Sequence, residues 1–476
     1  MSVTPASTTR VRGAVLVLCL VQFVDVLGVT IVITALPEML AGVGAGPSGG
    51  GFVATGYAVF FGGLLMFGAR VGDRLGHRRT ILWSLAVFGL GALLGALAQS
   101  LVVLTAARCI QGAASAAAVP SALRLLTSAV KGERARAKAL AAWSAAGAAA
   151  GASGLVLGGA VTAIASWRYV FWALLVVAVL LAPAVLRTLP ADGAGSSRQS
   201  LNVVGSGLLT LSVMAVVSGA TIVSEPGQMW LGVGLLAAAV LLALAFVYAD
   251  RRSSAPLLPR TLVRQPTLRR GSVGAFINTA TTSSVATLAT LYVQDTLGET
   301  PLATAAMLLP LSLLVVAGSG IAARVLTRVR PESLTAAGLA LIALGFGLLV
   351  LAGDQLVAIS GCMALAGVGL GLSAVATTSM GTDVPEDDRT TASGIINTTA
   401  QLGTAVGVAV LLLLAAATTG MPGPGVDAPT IAWVGAAALA GLAALVFVVL
   451  GRRTPSSAAL STPPRPAAAP ESDSVR

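Results

Sequence analysis

The chain has 476 residues, 10% charged and 56% hydrophobic, with a mean hydropathy of +0.91. Soluble proteins carry about 25% charged residues, so the composition excludes a water-soluble domain and places the chain in a membrane. The formal net charge of +11 does not mark a nucleic-acid binder, because the basic residues are scattered over many short loops rather than gathered on one face.

A helix that crosses a bilayer needs about 20 mostly apolar residues. In chain order the predicted spans are 14–36, 51–71, 81–98, 101–126, 139–164, 170–189, 203–223, 229–248, 273–293, 303–323, 334–351, 356–379, 391–415 and 431–450. They are continuous rather than alternating, which excludes a β-barrel. The first is too long for a cleaved signal peptide and contains an aspartate, so it is expected to remain as a helix. Cys19, Cys109 and Cys362 all fall inside apolar runs and are expected to be free thiols.

The loops are asymmetric in charge. One set carries Arg10, Arg12, the clusters at 74–79, 131–138, 251–270 and 324–330, and Arg452 with Arg453. The opposite set holds a single basic residue, Arg168, and the acids Glu38, Glu225, Asp295, Glu299, Asp354 and Asp427. Positive charge favours the cytoplasmic side. The expectation is a multi-pass protein of the cell (inner or plasma) membrane with both termini cytoplasmic. The Pro-, Ala- and Ser-rich tail from Thr454 is expected to be disordered.

Four arginines, one aspartate and the only histidine fall within residues 69–79, between the second and third spans. The sequence Ala69-Arg70-Val71-Gly72-Asp73-Arg74 is echoed by Ala323-Arg324-Val325-Leu326-Thr327-Arg328. Both copies follow one apolar span and precede another, so two similar helix bundles with extra helices between them are expected. Asp73 can accept hydrogen bonds from a helix N-terminus or pair with an arginine. With Thr327 in its place the second copy cannot, which predicts an asymmetric latch.

Ionisable groups inside a bilayer are expensive and are functional candidates by default. Asp25, Arg108 and Arg124 lie inside spans. Arg124 is near a span end and is expected to snorkel to the headgroups. Asp25 and Arg108 are placed at similar depth, and Asp25 is the sole deep carboxylate. A carboxylate in a poorly solvated site holds its proton more tightly, and a nearby cation reverses this. The pair is therefore the candidate proton-coupling site, the alternative being a permanent structural ion pair. Offsets of three and four put Arg108, Gln111 and Gly112 on one helix face. Gly147, Gly151, Gly154 and Gly158, with Gly159, form a stripe that admits close approach by another helix. The candidate substrate-cavity residues are Gln22, Gln111, Asn278, Thr282, Asn397 and Gln401. Many hydroxyls of the ninth and thirteenth spans are expected to bond back to their own helix.

Lys131 and Lys138 are the only lysines and neither sits in a phosphate-cradling loop, so no Walker-type ATP site is present. No HExxH zinc motif or second deep aspartate supports an intramembrane protease. No metal and no cofactor are expected, and energy is left to an ion gradient or to the substrate's own gradient.

These motifs resemble the major facilitator superfamily, in particular its fourteen-helix drug:proton antiporter branch of the EmrB/QacA type. Asp73, Arg74, Gly76, Arg78 and Arg79 resemble the signature between helices two and three, read as a cytoplasmic gate. Arg108-x-x-Gln111-Gly112 is similar to the fourth-helix motif implicated in proton coupling, and Gly154 with Gly158-Gly159 to the antiporter motif of helix five. Segments 30–37, 167–171, 292–310 and 392–403 resemble further motifs of the branch, in order along almost the whole chain. Three departures stand out. Gly28 replaces the usual first-helix aspartate, with Asp25 one turn earlier. Leu155 replaces the antiporter-motif proline, and Ala69 a glycine.

The resemblance implies an all-α membrane protein of the major facilitator fold with 14 transmembrane helices. The expected divisions are a six-helix bundle over 1–190, two extra helices and a basic linker over 191–270, a second six-helix bundle over 271–451, and a tail over 452–476. The implied function is proton-driven efflux of hydrophobic small molecules, neutral, monocationic or anionic, by a monomer using alternating access. The alternatives are export of an endogenous natural product, giving self-resistance, and a non-transporting membrane sensor on the same fold.

Overall fold

The computed structural model describes residues 8–46, 49–130, 133–192, 202–223, 227–326, 328–385, 388–417 and 428–453. Among them are fourteen long helices, one single-turn helix and a π-helical turn, Tyr292–Thr296, that continues the helix before it. In order these are α1 (Thr8–Gly42), α2 (Gly50–Leu75), α3 (His77–Ala96), α4 (Leu101–Ala129), α5 (Glu133–Ile164), α6 (Arg168–Thr188), α7 (Val203–Val223) and α8 (Met229–Arg252). Then follow the short α9 (Arg260–Val263), α10 (Pro266–Leu291), α11 (Pro301–Val325), α12 (Pro331–Ala352), α13 (Leu356–Gly381), α14 (Arg389–Ala417) and α15 (Ala428–Arg453). Lys131, Thr327 and the tail from Thr454 lie outside the described residues.

Thirteen of the long helices contain an apolar window sufficient to cross a membrane. The fourteenth, α10, falls short because it carries six threonines, three serines and Asn278. Most of its threonine hydroxyls are absorbed by its own backbone: Thr281, Thr282, Thr287 and Thr290 each donate to the carbonyl four residues earlier. A back-bonded hydroxyl exposes no unmet polar group to lipid, so α10 can span despite its composition. Several helices outrun the predicted spans. The first, predicted over 14–36, is the middle of the 35-residue α1, which continues through Pro37 to Gly42. The chain then turns through Gly44 at φ 67°.

The two halves are built alike. In the first, α2 packs on α4, α3 on α4 and α6, and α1 on α4, α5 and α6. In the second, α11 packs on α13, α12 on α13 and α15, and α10 on α13, α14 and α15. This is the same set of pairings shifted from α1–α6 to α10–α15, as the repeated turn predicts. Each half has its own apolar core. The cores interlock at two points: Leu155 of α5 belongs to the second and Leu291 of α10 to the first.

The halves meet along two seams that exchange under the same correspondence, α2 against α14 and α5 against α11. α7 lies along the first, with Val213, Val217 and Ala220 packed against Val59 of α2 and Ala405 and Ala409 of α14. α8 packs on α7 and turns most of its apolar surface outward, Leu241 and Leu244 among it. At the end of the bundle opposite the termini, Nε2 of Gln294 donates to the Thr34 carbonyl at 3.0 Å. Gly159 of α5 meets Pro301 and Ala305 of α11 at the same end.

Candidate functional site

Asp25 and Arg108 are both buried, at 7% and 1% exposure. The structure brings them to the two sides of a third residue, Tyr57 of α2. The Tyr57 hydroxyl hydrogen-bonds to Oδ1 of Asp25 and lies 2.6 Å from Oγ of Ser115 on α4. A phenol has one proton, so donation to the carboxylate leaves its oxygen to accept from Ser115. The Arg108 guanidinium carbon stands 4.8 Å from the centroid of the Tyr57 ring. A cation over an aromatic face in a desolvated site gains about 2 kcal/mol.

The expected direct pairing of Asp25 with Arg108 is not made. Nη1 of Arg108 instead donates to the Gly28 carbonyl at 2.8 Å and to Oε1 of Gln111 at 3.0 Å. Gln111 is three residues along the same helix, the offset that puts the two on one face. Nε of Arg108 and Nε2 of Gln111 have no hydrogen-bond partner among the described residues. Gly112 explains how Tyr57 reaches this position. A side chain on Gly112 would collide with the Tyr57 carbonyl, so glycine there lets α2 lie against α4 at the height of the ring.

Sequence reasoning missed Tyr57 and Ser115. A signal was present for the tyrosine. Span-end tyrosines favour headgroup level, and Tyr169, Tyr248 and Tyr292 lie near helix ends, whereas Tyr57 is seven residues into α2, about 10 Å from its end. Ser115 is one small residue among many and carries no comparable mark.

The glycine stripe of α5 is the seat of α1. Gly147 faces Gln22 and Val26, Gly151 faces Val26, Gly154 faces Thr30 and Gly158 faces Ile31 and Thr34. Thr34 donates across this seam to the Leu155 carbonyl at 3.0 Å. Gly159 points instead to α11, so adjacent glycines serve the half's interior and the seam between halves. Leu155, where the family motif has proline, is 3% exposed and buried in the second half's core.

The candidate cavity residues do not form one group. Oδ1 of Asn278 accepts from Ser373 of α13 at 2.9 Å, and Thr282 bonds back to the Asn278 carbonyl. These two are therefore internal ties of the second half. Gln401 packs on Gly62 in the α2–α14 seam, and Asn397 is exposed. Gln22 lies against α5, with its Oε1 buried and without a partner among the described residues.

At the turn between α2 and α3, Gly76 has φ 95°, and a side chain there would strike the Asp192 carboxylate. Asp192 is the residue that meets the helix N-terminus. Its Oδ1 accepts from the Arg78 N–H at 3.0 Å and its Oδ2 from the Arg79 N–H at 2.9 Å. The Asp73 carboxylate stands 3.4 Å from Nε2 of His77. The Arg78 and Arg79 N–H groups at the start of α3 are thus held by Asp192 rather than by Asp73. Asp73 is in the last turn of α2 and points at the residue four places on, while Asp192 comes in from the far end of α6. Arg78 also donates to the Leu186 carbonyl, and Arg74 is exposed.

Arg70 of the same turn reaches the segment after α8. Its Nη1 and Nη2 donate to the carbonyls of Ala255 and Pro256 at 2.7 and 2.8 Å. Asp250, 3% exposed, holds that segment from the other side, accepting from Leu257 N–H at 2.6 Å, Leu258 N–H at 3.0 Å and the Asn202 amide at 2.7 Å. Arg168, the lone basic residue of the opposite loops, is held over the Trp167 ring at 4.3 Å and donates to the Ala98 carbonyl. Arg124 is exposed, as snorkelling requires. All three cysteines are free. Among the described residues no group of three or more His, Cys, Asp or Glu side chains gathers as a metal site.

Residues 18–408 match the Major Facilitator Superfamily. The chain belongs to that superfamily. As a superfamily member it is a transporter and not an enzyme. It is 33% identical over 426 residues to the cephamycin export protein CmcT of Amycolatopsis lactamdurans, covering 88% of each chain. It is 33% identical to the puromycin resistance protein pur8 of Streptomyces alboniger, covering 84% of this chain and 80% of that one. Among solved superfamily structures it is similar to a bacterial homologue of the human lysosomal transporter Spinster in an inward-facing, unoccupied conformation. The TM-score is 0.65 over 94% of this chain and 96% of that one, at 15% identity, a likeness of fold.

Proposed function

We propose that this superfamily member is a proton-coupled exporter that expels a hydrophobic small molecule from the cytoplasm by alternating access. The observation that carries the reading is the buried group Asp25–Tyr57–Arg108. It contains the one buried carboxylate midway along a described helix, hydrogen-bonded to a hydroxyl and adjacent to a cation that does not neutralise it directly. A proton arriving at Asp25 removes the charge that the Tyr57 hydroxyl donates to and frees that hydroxyl to turn to Ser115. The ring carries the Arg108 guanidinium on its face, so the change at α1 reaches α4 through α2. Of those helices α2 forms the α2–α14 seam and α1 packs on α5, which forms the α5–α11 seam, and these are the two seams along which the halves must move. The contacts at Thr34–Gln294 and Gly159–Pro301 have to break for the far side to open. The charge asymmetry of the loops supports placing both termini in the cytoplasm, and the single chain provides both halves, so a monomer suffices.

Everted membrane vesicles test the reading. Asp25→Asn should abolish proton-driven uptake of substrate while substrate exchange without a gradient persists. Full proton-driven uptake by the variant would refute it.

The named relatives favour a natural product or antibiotic as the cargo, since one is an export protein for cephamycin and another a resistance protein for puromycin. Expression in a pump-deficient host challenged with a compound panel identifies it. Resistance confined to one chemical series would indicate a dedicated natural-product exporter, and broad resistance a multidrug pump.

A further inference from the structure

The segment from 249 to 270 contains six arginines and one aspartate. Where it leaves α8 the surface forms a groove of about 390 Å³, lined by Leu244, Val247, Tyr248, Arg251, Arg252 and Arg260. Its floor is apolar and lies on the outward face of α8, where Val240, Leu241 and Leu244 are all at least 60% exposed. Its rim is cationic: Arg251 and Arg252 end α8 and Arg260 begins α9. From Leu244 to Arg251 is seven residues, or about 10 Å along the axis. The groove therefore runs from acyl-chain depth to headgroup depth.

The rim charges are not consumed within the protein. Asp250, the acid in this stretch, is buried on the other side of the helix end and already accepts three hydrogen bonds. Arg252 lies over the Tyr248 ring at 4.3 Å, which orients it without neutralising it. The position of α9 is fixed too, because Asp250 and Arg70 grip residues 255–258 just before it. Arg260 is thereby held opposite Arg251 and Arg252 by a braced segment.

We propose that this groove is a binding site for an anionic phospholipid, with the phosphate between Arg251, Arg252 and Arg260 and the acyl chains along the exposed face of α8. Arginines at the membrane surface attract anionic headgroups, and guanidinium groups bind phosphate oxygens in bidentate fashion. A free phosphate would leave the apolar floor uncovered, and a zwitterionic lipid would bring its own cation to the rim. The site is independent of the transport reading. It requires only that α8 faces lipid, and its bound lipid would brace the segment that Arg70 ties to the α2–α3 turn.

The test uses the full chain in neutral detergent, titrated with phosphatidylglycerol or with phosphatidylcholine of the same acyl chains, reading the thermal midpoint and bound lipid by native mass spectrometry. Phosphatidylglycerol at saturation should raise the midpoint by about 3 °C, and phosphatidylcholine and inorganic phosphate should not. Arg251→Gln/Arg252→Gln/Arg260→Gln should lose the shift and the bound lipid, whereas Arg264→Gln/Arg269→Gln, outside the groove, should keep both. Arg260→Gln alone should weaken binding if the triple variant fails to fold. An equal response to both lipids, a full response in the groove variants, or lipid-free dimers joined through α8 would overturn the proposal.

Discussion

Tyr57 stands between Asp25 and Arg108, hydrogen-bonded to the carboxylate through its hydroxyl and covered by the guanidinium on its ring face. Two charges expected to meet are instead joined by a side chain that can respond to each differently. Tyr57→Phe keeps the ring and its cation contact and deletes only the hydroxyl. A hydrogen bond to a charged group is worth about 1.5–3 kcal/mol, so proton-driven efflux should fall about tenfold or more. Gradient-free substrate exchange should be little changed. If both rates stay at wild-type level in reconstituted vesicles, Tyr57 has no part in coupling.

Asp192 closes the N-terminus of α3 through two backbone N–H groups. Asp192→Ala should cost about 1 kcal/mol, as the loss of a helix cap does, lowering the thermal midpoint in detergent. Asp192→Asn should recover part of it. Asp73→Ala serves as the contrast, since Asp73 does not hold the Arg78 or Arg79 N–H. Equal loss in both would mean that the cap carries no special weight.

Gly154 and Gly158 admit α1 to within backbone contact of α5. Gly154→Leu should prevent folding or reduce the yield of monodisperse protein severely, since overpacking alone costs about 1–3 kcal/mol and often more. Gly361 on α13 has open space where its side chain would be. Gly361→Leu should therefore express and unfold like wild type. Comparable yields from the two variants in size-exclusion chromatography would show the seam to be looser than its geometry.

Asp250→Ala leaves the N–H groups of Leu257 and Leu258 and the Asn202 amide without their acceptor. Unmet buried donors cost about 1–3 kcal/mol. The expected result is faster proteolytic cleavage within residues 253–259, with the fourteen long helices retained by circular dichroism. Unchanged cleavage kinetics would show that Arg70 alone holds the segment.

Much of this organisation is written in local sequence. Continuous apolar runs give the helices, even α10, whose threonines reduce its hydropathy but mostly satisfy themselves within their own helix. The echo of residues 69–74 at 323–328 foretells the duplicated packing pattern, and the 147–158 glycines foretell a close partner. What sequence could not supply is which partner, because the residues of α1 and α5 that meet are more than a hundred positions apart. The same limit hid Asp192, which reaches the α3 N-terminus from beyond α6, and the pairing of Asn202 with Asp250. Asn278, Thr282 and Gln401 were legible as polar residues in apolar helices, yet polarity alone does not distinguish a tie within a half or a seam residue from one lining a path. Tyr57 was legible in type and depth, but its role depends on α2 standing between α1 and α4, a matter of packing.

Arg108 takes its anchor on α1 from the carbonyl of Gly28, at the position where the family usually has an aspartate. A carboxylate there would gain and lose charge along with the proton being carried, and its grip on the arginine would vary over each cycle. A peptide oxygen does not titrate in any accessible range. In the proposed cycle the guanidinium therefore keeps one fixed hinge point through loading and unloading, and no side-chain substitution in α1 can delete it. Under the proposed coupling the moving partner is the ring of Tyr57, and the arginine is the pivot about which it turns.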